Sequence, residues 1–158
     1  MEITTLISDP NIEIILKLVV ALFLGMSLGV ERAVAGKTAG MRTYGLVTMG
    51  SALFTIVAVT AAGGYDSDVA FRESLRFTAQ ILTGIGFIGA GLIFSHDGKV
   101  SGVTTAAGIW VAAGIGVAVG YGLYLLAAIA MVFVLIIFTG LWYIENRVKT
   151  LAHSDDAE

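Results

Sequence analysis

Gly29-Val30-Glu31-Arg32-Ala33-Val34-Ala35-Gly36-Lys37-Thr38-Ala39-Gly40-Met41-Arg42-Thr43 is a charged, glycine-punctuated connection between two long apolar runs. It holds Glu31, Arg32, Lys37 and Arg42 in a chain of 158 residues that is 57% hydrophobic and only 13% charged. Soluble domains carry about a quarter charged residues, so the runs on either side of this connection belong in a bilayer. Its positive excess sets the orientation, and its place beside the membrane makes it the first candidate for a functional surface.

Working outward, a helix needs about 20 apolar residues to cross the hydrocarbon core. Five segments meet that demand: residues 12–30, 43–62, 77–94, 104–120 and 121–143. The expected fold is an all-α integral membrane protein, a five-helix transmembrane bundle with glycine-rich helix packing. It would occupy residues 1–144, with 145–158 as a short charged cytoplasmic tail. Asp9 is a fitting N-cap for the first helix, with Pro10 at its first position. A cleavable signal would open with basic residues, whereas this chain opens with Glu2 and Asp9, so the first span is expected to stay. The formal charge of -3 argues against a nucleic-acid partner. The absence of cysteine excludes disulfides, thiolate catalysis and cysteine-held metals.

Short cytoplasmic loops are enriched in lysine and arginine. Five spans would put Arg32, Lys37, Arg42, Lys99, Arg147 and Lys149 on one side. Arg72 and Arg76, diluted by Asp66, Asp68 and Glu73, fall on the other, with Lys17 near an interface. The expectation is an N-terminus outside and a C-terminus in the cytoplasm.

Small residues every four positions let helix backbones approach in lipid. The first span has Ala21, Gly25 and Gly29 at that spacing, and the fourth has Gly108, Ala112, Gly116 and Gly120. The third carries Gly84, Gly86, Gly89, Ala90 and Gly91 over more than one face. The fifth is bulky all round. This pattern predicts spans one, three and four in the core, the second bordering it, and the fifth against lipid. The ladders suit contacts within one chain or between two copies, and a homo-oligomer, first of all a dimer, is expected.

Several motifs have bland readings that win. Gly36-Lys37-Thr38 lacks the earlier glycine of a phosphate-binding loop, since that position is Glu31. Gly84-Ile85-Gly86-Phe87-Ile88-Gly89 has dinucleotide-fingerprint letters inside an apolar span, so helix packing explains it better. Arg72, Arg76, Gln80 and Thr83 share one helical face and descend from the surface into the membrane, where polar residues are functional candidates. Glu13 and Lys17, one turn apart, read as a structural ion pair. Ser95-His96-Asp97-Gly98-Lys99 contains an Asp-Gly turn, and Thr104 and Thr105 are expected to cap the fourth helix. Asp66 with Asp68, or Asp155, Asp156 and Glu158, could contribute oxygens to a magnesium ion, but neither cluster forms a clear ligand set and no cofactor is expected. No nucleophile, base and orienting group come together in the sequence, which does not read as an enzyme.

Three ordered stretches carry a family resemblance. Gly29-Val30-Glu31-Arg32 with Gly36 to Thr43 resembles the first signature of the MgtC/SapB membrane-protein family. So do Ala79-Gln80-Ile81-Leu82-Thr83-Gly84-Ile85-Gly86-Phe87-Ile88-Gly89-Ala90-Gly91, and Gly102-Val103-Thr104-Thr105-Ala106-Ala107 followed by Ile109-Trp110-Val111. The resemblance implies a bacterial inner-membrane protein linked to magnesium limitation, with ATP synthase as a membrane-protein partner of the best-known members. Those members continue into a soluble C-terminal domain. Here residues 144–158 follow Tyr143, so the chain looks like the short, SapB-type form.

The leading expectation is a non-catalytic membrane protein of magnesium or ion homeostasis, acting through protein contacts. The alternative is a small-ion transporter or channel for magnesium, protons or anions, with a polar path along Arg76, Gln80 and Glu31. Candidate functional residues are Glu31, Arg32, Lys37, Arg42, Thr43, Arg76, Gln80, Thr83, Thr104 and Thr105. Glu31 is expected to pair with Arg32 or Arg42.

Overall fold

The structure, a computed structural model, describes residues 9–64, 67–96, 98–141 and 143. Among these residues, five helices run in order: α1 Pro10–Val34, α2 Met41–Ala61, α3 Asp68–Gly91, α4 Val103–Gly120 and α5 Tyr124–Ile136. The last continues into a wider π-helical turn, Ile137–Leu141. The acidic clusters' Asp66, Asp155, Asp156 and Glu158, the tail's Arg147 and Lys149, and the turn residue Asp97 lie outside the described residues.

Local chemistry sets the helix ends. The Asp9 carboxylate accepts from the Asn11 amide at 2.9 Å, with Pro10 opening α1 as expected. The helix then runs beyond the apolar stretch, taking Glu31 and Arg32 into its last turn instead of a loop. It stops at Gly36, whose φ of 66° places it in the left-handed region. There the Lys37 amide donates to the Arg32 carbonyl at 2.9 Å and the Gly36 amide to the Ala33 carbonyl at 3.1 Å, which satisfies the terminal carbonyls. α3 begins nine residues before the expected position 77, because the Ser67 side chain caps it by accepting from the Ala70 amide at 3.1 Å. A short antiparallel hairpin follows α3, β1 Phe94–His96 and β2 Lys99–Ser101, with Ser95 opposite Val100.

Among the described residues, four helices are long and apolar enough to cross a membrane: Pro10–Val34, Met41–Ala61, Val103–Gly120 and Tyr124–Leu141. α3 is long enough but less apolar, since Arg72, Glu73, Arg76 and Gln80 interrupt it.

All four other helices pack on α4, and eleven of its residues are buried. Its glycine ladder meets α2. A Cβ on Gly116 would lie 2.9 Å from the Ser51 Cβ, and one on Gly120 would lie 2.6 Å from the Thr55 Cβ. The α1 ladder also faces α2: a Cβ on Gly25 would stand 2.6 Å from the Tyr44 carbonyl oxygen. So α2 belongs to the core, between two glycine faces, and does not merely border it.

The expectation for the third span fails in the opposite sense. α3 buries only Ala70, Ser74, Thr78 and Gly89. A Cβ on Gly84, Gly86 or Gly91 would meet nothing within 4 Å. Glycine permits close approach but does not summon a neighbour, and here only Gly89 has one, Ala106. α5 lies on the outside as expected, burying Ala127, Val134 and, in its π turn, Phe138.

Candidate functional site

The charged connection, the hairpin and the end of α5 meet at one end of the bundle. Arg32 is only 4% exposed there. Its Nη2 donates to Glu31 Oε1 at 2.6 Å and its Nε to Glu31 Oε2, a two-pronged contact with the neighbouring residue. Glu31 therefore pairs with Arg32, while Arg42 is exposed at the start of α2 and Thr43 is half-buried beside it.

The other side of the guanidinium is held by α5. Its central carbon lies 3.6 Å from the centre of the Phe138 ring, a cation–π contact of about 2 kcal/mol when desolvated. Nη2 also approaches the Phe138 carbonyl at 3.5 Å. The π turn places Phe138 so that ring and carbonyl address the same cation; such turns recur where a helix is shaped for a task. Phe138 meets Tyr44 edge-on at 6.5 Å between centroids. Both rest on Gly108, where a Cβ would come 2.6 Å from Phe138 Cζ. The Tyr44 hydroxyl is buried without a hydrogen-bond partner among the described residues.

Two cavities flank Phe138. One, of about 470 Å³, is lined by Arg32, Lys37, Thr104 and Thr105, by Gly102 and Val103, and by Val100, Ile137 and Leu141. The other, of about 590 Å³, is lined by Glu31, Val34, Ala35, Thr139 and Tyr143. The pair thus divides its charge: arginine toward the first cavity, carboxylate toward the second.

Thr104 and Thr105 do not cap α4. Gly102 is the N-cap, with φ 88° and no side-chain cap bond. A Cβ there would press within 2.9 Å of the Leu92 carbonyl carbon, so the close turn out of the hairpin excludes a side chain at this position. The threonines instead line the first cavity. The structure therefore gathers Arg32, Lys37, Thr104 and Thr105, with Glu31 just behind.

It does not gather the α3 line with them. Arg72, Arg76, Gln80 and Thr83 are exposed on α3. The Arg76 side chain is 78% exposed and pairs with Glu73 at 3.1 Å, Gln80 borders a cleft against α2 with Phe54 and Phe77, and Thr83 donates to its own helix at Ala79. At the opposite end of the bundle from Arg32, Glu13 and Lys17 form the expected ion pair at 2.7 Å. Among the described residues no group of three or more acidic or histidine side chains could hold a metal ion. Phe138 and Tyr44 escaped sequence reasoning because each looks like ordinary helix filling, and Gly108 was legible only as a step of a packing ladder; no local spacing ties the three to Arg32.

The MgtC family model matches residues 18–147, a range that contains every residue of this cluster. The chain belongs to the MgtC family. Protein SrpB of Synechococcus elongatus is 42% identical over 133 residues, 78% of this chain and 72% of SrpB. Protein SapB of Bacillus subtilis is 39% identical over 144 residues, 89% of this chain and 60% of SapB. A protein of Escherichia coli named putative magnesium transporter YhiD is 43% identical over 96 residues, 60% of this chain and 45% of YhiD. The chain thus spans between about half and three quarters of these relatives' lengths. No solved structure matches it. Apolar helices and family together make it a multi-pass membrane protein.

Proposed function

We propose that this chain is a non-catalytic protein of the bacterial inner membrane that serves magnesium homeostasis through contacts with another membrane protein. The magnesium link rests on the family and on the names of relatives such as YhiD and the MgtC proteins of Brucella abortus. The N-terminus would lie outside, with the Arg32–Lys37–Arg42 end in the cytoplasm, where positive loops are favoured.

One observation carries the preference for contact over transport: the centre of the bundle is filled. The glycine faces of α1 and α4 close on α2, and the buried Thr48 and Thr55 hydroxyls donate to carbonyls of their own helix, at 2.9 and 2.8 Å. The polar line on α3, which a path would need, is exposed and separated from Glu31. A homo-oligomer remains part of this reading, with the α4 ladder already occupied inside the chain.

Two measurements test it together. In a strain lacking the gene, the wild-type chain should restore growth at low magnesium, and Arg42→Ala and Glu31→Gln should reduce that rescue. Proteoliposomes of verified orientation should show no flux of magnesium, protons or chloride. Full rescue by both variants removes the proposed surface, and a saturable ion flux replaces the contact reading with transport.

A further inference from the structure

We infer that the cavity beside Arg32 is a binding site for a phosphate-bearing anion, supplied either as free phosphate or as a phospholipid headgroup. The inference does not depend on the magnesium reading.

The cavity presents donors and almost no competing acceptors. Arg32 is nine-tenths buried and lines it. Glu31 takes Nε and Nη2, while Nη1 makes no hydrogen bond among the described residues. Thr105 is also 4% exposed. It lines the cavity, and its hydroxyl makes no bond to another described residue. The first turn of α4 opens on the same space. The amides of Val103, Thr104 and Thr105 have no partner within the helix, and the Gly102 cap supplies no side chain to satisfy them. Such a terminus favours anions through both its free N–H groups and its dipole. Lys37, exposed at the rim, adds a charge that no described residue pairs.

No acidic side chain among the described residues lines this cavity; Glu31 faces the neighbouring one. The donor set therefore calls for a ligand that only accepts and has several oxygens. A phosphate can take the guanidinium nitrogen, a hydroxyl, the helix amides and the lysine at once. The rim adds a second feature. Val100, Val103, Ile137 and Leu141 are each half or more exposed, so an apolar wall stands next to the polar interior, at the end of the bundle where headgroups would lie.

The test uses the full chain, delipidated in non-ionic detergent, with two probes. Inorganic phosphate is followed by phosphorus NMR line broadening, and phosphatidylglycerol by native mass spectrometry. Arg32 is needed for packing, so the variants are Lys37→Glu and Thr105→Val, with circular dichroism to verify folding and Lys17→Gln as a control cation at the other end. Losing a hydrogen bond to a charged group weakens binding about tenfold. Each site variant is expected to do so, and Lys17→Gln to leave binding unchanged. Binding of phosphate alone assigns the free anion, and binding of phosphatidylglycerol alone assigns the lipid. The inference is overturned if neither probe binds, or if both site variants bind as the wild type does.

Discussion

Arg32 and Phe138 are separated by 106 positions in the chain, yet the guanidinium carbon lies over the ring, 3.6 Å from its centroid. This contact joins the end of α1 to the end of α5. Because Phe138 also meets Tyr44 and covers Gly108, one ring ties four helices at the charged end.

Phe138→Ala should therefore destabilise the bundle. Truncating a core phenylalanine costs about 3–5 kcal/mol, and here the cation–π contact goes with it. Chemical unfolding in detergent is expected to show a loss in that range, with Phe138→Leu recovering part of the packing but not the cation contact. A wild-type stability for Phe138→Ala would show that the ring is not a tie.

Glu31→Gln leaves the Arg32 charge buried with only the Phe138 ring and carbonyl. Breaking a buried pair by removing one partner costs about 3–5 kcal/mol, whereas replacing both by apolar groups is often near neutral. Glu31 is 16% exposed, which puts the expected loss at the low end, about 3 kcal/mol. The double variant Glu31→Gln, Arg32→Met should recover most of it. A double-variant cycle with no coupling between the two positions would contradict the pairing.

The glycines divide into two groups with opposite outcomes. An added methyl at Gly116 collides with Ser51 and with the Thr48 carbonyl, and overpacking of this kind costs about 1–3 kcal/mol. At Gly84 and Gly86 the methyl meets open space, and alanine gains up to about 1 kcal/mol of helix propensity. Gly116→Ala should lower the unfolding temperature, while Gly84→Ala and Gly86→Ala should hold or raise it. If all three respond alike, the assignment of faces is wrong.

Tyr121 fastens the outer helix. Its hydroxyl lies 2.9 Å from the Thr78 hydroxyl and 3.4 Å from that of Ser74, joining α3 to the turn between α4 and α5. Tyr121→Phe should cost about 1 kcal/mol. The change should appear as faster hydrogen exchange in the first half of α3, with α1 and α2 unaffected. Uniform protection across α3 would leave the hydroxyl without this role.

What the sequence settled by itself follows from solvent. Long apolar runs have to be helices in lipid, because every backbone N–H and C=O must be satisfied without water. Asp9 and Pro10 mark the start of α1 through rules that act within a few residues, and lysine and arginine gather in the connections that leave the membrane. Glu31, Arg32 and Lys37 stood out for the same reason: few charges, all beside the bilayer. Tertiary structure alone decided which helix is central, because glycine reads identically whether a neighbour fills its groove, as Ser51 does at Gly116, or leaves it open, as at Gly84. It also decided what the charges do. Arg32 finds Phe138, and Thr105 turns into a cavity rather than a cap, through contacts between distant segments that have no local spacing to announce them.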